Sequence, residues 1–204
     1  MKYEVFSNGV FGSNAYLVYD GEDGVVIDAG VPLSEVKARA DELNVKIRAL
    51  ILTHGHYDHI AHACEYKEAG IPVGINKREA YMLSPCRDNL AKYMGFKVQA
   101  IAPDFVFCGG EVLSFGKLEF KVVLTAGHTA GSCCFLCDNV CFTGDTLFYG
   151  SVGRTDFPTG SHKELMKSIK GKLLVLPGDT IVCPGHNECT TIRAEAESNP
   201  YFSD

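Results

Sequence analysis

Four potential metal ligands stand close together in one segment of this chain. His54, His56, Asp58 and His59 follow the apolar stretch 49–53, whose composition is typical of a buried strand. In an extended chain, residues two apart point to the same side, so the rings of His54 and His56 are expected to face one way. Imidazole and carboxylate are the groups that bind zinc and similar cations in proteins. The segment therefore predicts a metal site at the end of a strand.

Three further polar residues occur in matching contexts, each after an apolar run and beside a glycine. They are His128 in VVLTAGHTAGS, Asp145 in VCFTGDTLF and His186 in TIVCPGHNE. Glycine lets the backbone turn sharply and approach a site closely. A single histidine at a strand end is more often structural, but five of the seven histidines share this arrangement. Because one ion needs only three or four ligands, this set predicts a centre with two divalent cations.

Two neighbouring cations would supply hydrolytic chemistry. They can share one water molecule and lower its pKa towards about 7, which provides a hydroxide at neutral pH. That hydroxide would attack a substrate carbonyl, while Asp58 and Asp145 partly neutralise the cations and orient it. A cysteine–histidine hydrolase is the weaker interpretation, because no thiol lies in a recognisable nucleophile context. We therefore expect a zinc-dependent hydrolase whose catalytic residues are Asp58 and Asp145.

The elements that must position these residues are visible in the apolar pattern. Runs bounded by turn residues predict strands at 3–6, 14–20, 24–28, 48–53, 71–75, 105–107, 118–124, 133–137, 140–143 and 181–183. Helical periodicity predicts helices at 34–43, with Ser34 as the cap, and at 58–68, 161–169 and 190–197. Strands in both halves, with helices between them, favour an α/β (α+β) fold in which two sheets pack face to face under outer helices. Residues 77–103 are the least regular, and they are expected to form a lid or a variable insertion.

Length, composition and charge limit the class of protein. At 204 residues and 46% hydrophobic content, the chain is expected to form a single domain, residues 1–204, around a substantial core. Lys plus Arg number 19 against 25 Asp plus Glu, and the net charge of -6 disfavours nucleic acid as a partner. The sequence shows neither a secretory signal nor an apolar run long enough for a membrane span. We expect a cytoplasmic protein that acts on a small molecule.

The cysteines have two interpretations. Their number, nine, is odd, and without an export signal they are expected to remain thiols. Cys133, Cys134, Cys137 and Cys141 cluster in SCCFLCDNVCF, and a Cys-x-x-Cys pair is a common half of a structural zinc site. The alternative is a hairpin in which two apolar runs flank a turn at 138–139. Buried cysteine behaves as a small hydrophobe in such a hairpin, and we favour this second interpretation.

The motifs THGHYDH, AGHTAGS, TGDTLF and PGH, in this order, resemble those of the metallo-β-lactamase superfamily along nearly the whole chain. GRTDFPTG is similar to the hydroxyacylglutathione hydrolase (glyoxalase II) branch and its small bacterial relatives. The resemblance implies an αββα sandwich of two mixed sheets flanked by helices. It implies two divalent ions, zinc first and iron or manganese as alternatives. The implied ligands are His54, His56 and His128 for the first metal and Asp58, His59 and His186 for the second, with Asp145 bridging them.

Other residues near the ligands are given supporting roles by the same resemblance. Asp28 in VVIDAG corresponds to an acidic residue that braces the metal-binding loop, although an Asp beside Gly can also be an ordinary turn residue. His62 shares a predicted helix face with His59 and could support it. A half-exposed helix histidine is the favoured interpretation for His62, and more strongly for His162.

The substrate pocket is expected beside the bridging-ligand segment. Its candidate lining residues are Tyr57, Phe148, Tyr149, Arg154 and Phe157. Arg154 is available to a substrate carboxylate, but an ion pair with Asp156 is equally compatible with the sequence. The resemblance implies that this pocket takes a small-molecule thioester or ester as its substrate.

Two departures from the family pattern bear on the substrate. Ala61-His62 stands where relatives often carry Gly-Gly, and only residues 187–204 follow His186. Glyoxalase II has a carboxy-terminal helical domain that supplies much of its glutathione contact, and this chain has no room for one. Glutathione specificity is therefore left open by the resemblance.

Two other functions compete with hydrolysis. A persulfide dioxygenase relative would hold a single iron(II) with His54, His128 and Asp145, leaving positions open for oxygen and a thiol. A non-catalytic metal-binding or redox-partner module would bind metal and turn over no ester or thioester. The hydrolase is favoured over both.

Overall fold

Two six-stranded sheets lie face to face in the computed structural model, which describes residues 1–202. The strands of the first sheet, in spatial order, are β1 (Lys2–Phe6), β2 (Ala15–Asp20), β3 (Asp23–Ile27), β4 (Lys46–Ile51), β5 (Val73–Asn76) and β6 (Phe105–Phe107). β1, β2 and β3 pair antiparallel, whereas β3 to β6 pair parallel. The first sheet is therefore mixed, and its parallel half carries β4, which leads into the histidine cluster.

The second sheet is built from the later part of the chain. Its strands are β7 (Val112–Phe115), β8 (Leu118–Leu124), β9 (Cys133–Cys137), β10 (Val140–Gly144), β13 (Ile181–Pro184) and β14 (Thr190–Thr191), in the spatial order β14-β13-β10-β9-β8-β7. Only β10 and β13 pair parallel. A small ribbon of β11 (Leu147–Phe148) and β12 (Ser151–Val152) stands apart from both sheets.

Helices cover the outer faces of the sandwich. They are α1 (Leu33–Glu42), α2 (Tyr57–Ile60), α3 (Ala63–Glu68), α4 (His162–Ser168) and α5 (Ile192–Ser198). One buried cluster joins the first sheet to α1, α2 and α3, a second fills the space between the sheets, and a third joins the second sheet to α4 and α5. This layering confirms the predicted αββα fold. No helix within residues 1–202 has the length and apolar character needed to cross a bilayer.

Alternation along the strands explains why each sheet serves two cores. In β3, Val25 and Ile27 pack between the sheets, while Val26 packs towards the helices on the other side. Successive side chains of a strand point to opposite faces, so a strand buried on both sides must be apolar throughout.

The cysteine cluster follows the same rule. β9 and β10 form the predicted hairpin, with Cys137 opposite Val140. Cys133 and Cys137 lie in the core between the sheets, whereas Cys134 and Cys141 lie in the outer core. Because the four thiols face opposite sides of one sheet, they cannot surround a single ion. The structural zinc interpretation is therefore rejected in favour of buried hydrophobes.

The predicted helix 58–68 is wrong in one respect, because it is interrupted at Ala61-His62. In a continuous helix, His62 N–H would donate to the Asp58 carbonyl. Instead it donates to Ala29 O (3.0 Å), and the Asp58 carbonyl accepts from Ser13 Oγ (2.9 Å). Contacts with the amino-terminal segment thus replace one turn of helix and fix the start of the ligand-bearing α2.

The cap predicted for α1 is also wrong. The helix begins at Leu33, so Ser34 lies inside it and makes no capping bond. The Leu33 N–H donates to Glu65 Oε2 (2.8 Å) of α3 instead. The carboxylate of Glu65 thus accepts from a backbone N–H that has no partner inside the helix. Because Glu65 is distant in the chain, the local sequence does not reveal this cap.

Several short strands were not predicted. β7, β11, β12 and β14 have between two and four residues each by their bounds, and Thr190-Thr191 was assigned to the last helix. That helix begins at Ile192, and Thr191 Oγ1 caps it by accepting from Ala194 N–H (3.2 Å). Short strands carry too little pattern to be recognised before their partners are known.

Candidate metal centre

All seven predicted ligands meet at one edge of the sandwich. β4 ends before His54, β8 before His128, β10 before Asp145, and β13 before His186. Two backbone bonds tie these ends together: Gly185 N–H to Gly144 O (2.8 Å) and Cys133 N–H to Thr53 O (2.9 Å). Because β10 and β13 are parallel neighbours, their following residues emerge side by side. The ligands that follow apolar runs in the sequence therefore lie together because the strands that precede them end at the same edge of the sandwich.

The donor atoms form three overlapping groups, each with its atoms within 4.8 Å of one another. The groups are His54, His56 and His128; His54, His59 and Asp145; and Asp58, His59 and His186. The first two groups share His54 and the last two share His59, so the three groups lie next to one another. The arrangement has the donors and the spacing for two adjacent cations.

The first group consists of three buried imidazoles. The ring centroids of His54, His56 and His128 lie 4.6–4.8 Å apart, and the Nδ1 of His56 is 2.8 Å from the Nε2 of His128. Burial, together with neighbouring imidazoles, holds the pKa of His54 well below its usual value and lowers the pKa of His56 to about 3. Burial also lowers the pKa of His128. These rings are therefore neutral at physiological pH, the form that binds metal.

The second group contains carboxylates as well as imidazoles. Asp58 Oδ2 lies 3.2 Å from His186 Nε2 and 3.6 Å from His59 Nε2. Burial opposes protonation of His59, but Asp58, Asp145 and Asp28 outweigh it and raise the pKa of His59 well above its usual value. A site that draws a proton so strongly onto a buried ring has a negative potential suited to a cation.

Asp145 lies between the two groups. Its Oδ1 is 3.3 Å from His59 Nε2, and its Oδ2 is 3.5 Å from His128 Nε2 and 3.7 Å from His186 Nε2. Burial alone would raise the pKa of Asp145, but His59 and the other imidazoles hold it well below its usual value. The carboxylate is thus ionised. Its Oδ2 lies between His128 of the first group and His186 of the second, and its Oδ1 lies beside His59 of the second group.

Asp28 lies behind the ligands and orients two of them. Its Oδ2 accepts from His59 Nδ1 and from Thr53 Oγ1, both at 2.8 Å, and its Oδ1 accepts from Thr53 N–H at 2.8 Å. Since the Thr53 hydroxyl donates to Asp28, it accepts from His54 Nδ1 at 3.1 Å. Both rings therefore carry their proton on Nδ1 and turn Nε2 towards the centre.

His128 and His186 are oriented by backbone carbonyls. His128 Nδ1 donates to Arg154 O (2.7 Å), and His186 Nδ1 donates to Gly12 O (3.2 Å). Their Nε2 atoms are thereby turned towards the carboxylates. Segments far apart in the chain thus support the same centre.

A cavity of 540 Å³ opens over the centre. It is lined by His56, Asp58, His128, Asp145 and His186, and by the side chains of Phe11, Leu90, Met94, Phe148, Ser151, Val152, Arg154, Phe157 and Asn187. Phe148, Arg154 and Phe157 were predicted here, whereas Phe11, Leu90 and Met94 were not. Leu90 and Met94 come from segment 77–103, so this irregular segment forms one wall of the cavity.

Tyr57 does not line this cavity in the described structure. Its ring stacks on Phe96 with centroids 4.8 Å apart. As the first residue of α2, Tyr57 projects away from its neighbours His56 and Asp58. Tyr149, also considered for the pocket, is 58% exposed and lies outside the lining.

Arg154 is held by an ion pair. Its Nε and NH2 group each lie 2.7 Å from an oxygen of Asp156, and its guanidinium lies 4.0 Å from the centroid of the Phe157 ring. The Arg154 side chain is thus engaged at the cavity rim.

His62 and His162 take no part in the centre. His62 Nδ1 bonds to Glu65 Oε1 (2.6 Å) on the helix surface, and His162 is exposed at the start of α4. Their positions agree with the favoured interpretation of both residues.

Comparison with known proteins decides the family. A model of the metallo-β-lactamase superfamily matches residues 8–186. The chain belongs to the metallo-β-lactamase superfamily. It is 34% identical over 209 residues to the hydroxyacylglutathione hydrolase GloC of Haemophilus influenzae, covering 100% of this chain and 99% of that protein.

Two solved structures of the superfamily are also similar over their full length. The BLEG-1 B3 metallo-β-lactamase has a TM-score of 0.94 and 31% identity, with 100% of both chains covered. TTHA1623, solved in a di-iron-bound form, has a TM-score of 0.86 and 34% identity, with 97% of this chain and 99% of that chain covered. Together with the GloC match, these similarities indicate a metal-dependent hydrolase.

The residues of this metallo-β-lactamase superfamily member fit divalent cations. Three buried atoms that face the centre have no hydrogen-bond partner in the described structure: His54 Nε2, His59 Nε2 and Asp145 Oδ1. An unsatisfied buried polar atom costs about 1–3 kcal/mol, and three in one place are rare without a shared ligand. With its proton on Nδ1, neutral His59 presents a lone pair towards Asp145 Oδ1. Two such acceptors face each other stably only with a cation or a proton between them.

Glu79 supports the centre and was not found in the sequence. Its buried carboxylate accepts from Gly55 N–H and from Gly131 N–H, both at 2.7 Å. Gly55 separates His54 from His56, and Gly131 belongs to the loop after His128, so Glu79 links the two loops of the first group. Nothing in the local sequence around NKREAY distinguishes Glu79 from a surface glutamate.

Proposed function

We propose that this protein is a thioester hydrolase of the hydroxyacylglutathione hydrolase type that works with two divalent cations, zinc first. The carrying observation is the position of Asp145, whose carboxylate lies within 3.7 Å of imidazoles from two different sets of donors, His128 in the first and His59 and His186 in the second. A single ion would leave one of these sets unused. The proposal places the protein in the cytoplasm, where its cysteines, none in a disulfide among residues 1–202, remain thiols.

In this proposal, His54, His56 and His128 would hold the first cation. Asp58, His59 and His186 would hold the second, and Asp145 would be a ligand shared by the two. When bound, the cations supply Lewis-acid activation of a water molecule and of the substrate carbonyl. Imidazole and carboxylate donors suit zinc, and they also suit iron and manganese, which agrees with the di-iron form of TTHA1623.

The protein's own groups position the reactants. Asp58 and Asp145 are both ionised acceptors at the cavity floor, and they orient the attacking water by accepting its proton in a hydrogen bond. Phe148 and Phe157 give the cavity apolar walls, which exclude competing water from the acyl group. No serine or cysteine nucleophile is required.

The choice of a thioester is supported by GloC. This relative is matched over 99% of its length, so the matched region contains nearly all of a protein named as a hydroxyacylglutathione hydrolase. The additional helical domain of glyoxalase II is therefore not needed to explain the substrate. The BLEG-1 B3 metallo-β-lactamase has a similar fold, so a β-lactam is the substrate to test against the thioester.

The dioxygenase alternative would use only part of this arrangement of donors. An iron held by His54, His128 and Asp145 would leave Asp58, His59 and His186 without a ligand, although these three are also brought together. We therefore retain only the hydrolase as the proposed function.

The experiment compares substrates on protein loaded with zinc, iron or manganese. We expect hydrolysis of S-lactoylglutathione, little hydrolysis of a chromogenic cephalosporin, and no oxygen uptake with glutathione persulfide. Asp58→Asn should lose most of the thioesterase activity, whereas Asp41→Asn on the exposed face of α1 should retain it. Oxygen uptake without thioester cleavage, or β-lactam cleavage alone, would overturn the proposal.

A further inference from the structure

A second, larger cavity adjoins the metal centre. It has a volume of 870 Å³ and lies on the far side of the irregular segment that walls the active-site cavity. We call it the basic groove; its principal lining residues are Arg87, Asn89, Lys92, Tyr93, Phe96 and Lys97. Nothing in the proposed hydrolysis at the metal centre uses it.

Consecutive residues connect the basic groove to the active-site cavity. Leu90 and Met94 line the active-site cavity, while Asn89 and Tyr93 line the groove. The turn Ala91–Met94 is therefore a thin wall with one cavity on each side. A ligand that occupied both cavities would have to cross the edge of this wall.

Direct contacts couple the groove to the ligand loop. Phe96 stacks on Tyr57, which stands between His56 and Asp58 in the chain, and it also contacts Phe11 of the active-site cavity at 5.9 Å between ring centroids. Asn89 O accepts from Tyr57 N–H at 2.9 Å. The groove is thus built onto the metal-binding loop.

Among the described residues, lysine side chains without an ion-pair partner line the groove but not the active-site cavity. Arg154 is the only lysine or arginine among the described lining residues of the active-site cavity, and Asp156 already pairs with it. In the groove, Arg87 pairs with Asp88, but Lys92 and Lys97 are exposed and have no ion-pair partner within residues 1–202. In a chain with a net charge of -6, this is a local site for anions.

We propose that the basic groove binds the carboxylate-bearing thiol half of the substrate, while the acyl group lies over the metal centre. This assignment rests on the proposed function. Lys92 and Lys97 attract the carboxylates, and the exposed rings of Tyr93 and Phe96 cover the apolar part of the thiol chain. The two unpaired cations of the groove are lysines, which provide point charges, and its one guanidinium bonds through Nε to Asp88 Oδ1 at 3.1 Å. A peptide-like thiol therefore fits better than a phosphate-bearing thiol.

The test measures binding and turnover with a double charge reversal, Lys92→Glu with Lys97→Glu. Lys117→Glu with Lys121→Glu, two exposed lysines of which one lies in the turn after β7 and one in β8, makes a control with the same change of net charge. Binding of S-methylglutathione, which has no bond to hydrolyse, is measured by calorimetry on the metal-loaded protein. We expect its Kd to rise about 10-fold in the double variant, because two exposed ion pairs with the ligand are replaced by repulsion. The Kd should be unchanged in the control. The effect should shrink as salt is added.

Kinetics separate this inference from the proposed function. The KM for S-lactoylglutathione should rise about as much as the Kd, with kcat nearly unchanged, because the lysines lie outside the metal centre. The lactoyl thioester of N-acetylcysteamine, which has no carboxylate, should be hydrolysed equally by all variants. Unchanged S-methylglutathione binding in the double variant, or an equal loss on the neutral thioester, would overturn the groove assignment. A larger effect on lactoyl-coenzyme A than on S-lactoylglutathione would overturn the choice of carboxylates.

Failure of the wild type on every thioester would instead reject the proposed function. The calorimetric arm would still decide whether the groove binds a carboxylate-bearing thiol.

Discussion

Asp28→Asn tests how the metal centre is held together. The substitution keeps the size of the side chain and the oxygen that accepts from Thr53 N–H, but it replaces Oδ2 with a donor. Oδ2 serves both His59 Nδ1 and Thr53 Oγ1, so two buried hydrogen bonds to a carboxylate are lost. Asparagine also tolerates the left-handed φ of 62° found at Asp28, so the backbone itself is not perturbed.

The magnitude follows from these two bonds. A hydrogen bond to a charged group contributes about 1.5–3 kcal/mol, so the metal-free variant should lose at least about 3 kcal/mol of unfolding free energy. For a chain of this size, that corresponds to a fall of roughly 6–12 °C in Tm. Affinity for the second ion should also fall about 10–100-fold, because the ring of His59 is no longer held in its Nδ1-protonated form.

The assay is thermal unfolding of chelator-treated protein, followed by metal titration against a competing chelator. Asp41→Asn makes the same chemical change at an exposed position of α1 and should leave both quantities unchanged. If Asp28→Asn keeps the Tm and both metal affinities of the wild type, the assignment of Asp28 as a positioning residue is refuted.

The other predictions concern the ligands themselves. Elemental analysis of the loaded protein should approach two ions per chain, and Asp145→Asn should lower this number together with most of the activity. His62→Ala should stay below the 10–100-fold loss typical of residues that support a ligand, and a loss equal to that of Asp145→Asn would contradict the ligand assignment. Burial lowers the pKa of His56 to about 3, so between pH 6.5 and 3 the unfolded chain binds a proton there that the native chain does not. The unfolding free energy of the metal-free protein should therefore fall as the pH is lowered from 6.5 to 3. In His56→Gln, which lacks this titrating group, the unfolding free energy should depend less steeply on pH in the same range. Gly185→Ala should weaken metal binding, measured by chelator competition, because its Cβ would collide with Asp145 Oδ1, whereas Gly171→Ala meets nothing and should bind as the wild type does.

The ligand set was predictable because each donor is marked by its immediate neighbours. His128, Asp145 and His186 each follow an apolar strand and stand beside glycine, and this context survives in the fold as a strand end at one edge. The αββα layering was predictable for a similar reason. Strands buried on both faces, such as β3, must be apolar throughout, and the sequence shows this directly.

Features that depend on distant partners were not predictable. Glu79 looks like any surface glutamate until Gly55 and Gly131 are brought to it. The start of α1 was misplaced because its cap comes from Glu65, and the helix expected at 58–68 is broken because Ser13 and Ala29 take its backbone bonds. Local propensity is a weak guide wherever tertiary hydrogen bonds replace it.

By itself, the sequence determined which donors the protein has, which strands carry them and which superfamily their order resembles. The resemblance implied how the donors are grouped, but only the tertiary structure brought them together and supplied the contacts that orient them, such as the bond from His59 Nδ1 to Asp28 Oδ2. The tertiary structure also placed a groove with unpaired lysines against the ligand loop through the contact of Phe96 with Tyr57. The physical reason is that residue type and spacing act along the chain, whereas grouping requires close packing of segments that the chain keeps far apart.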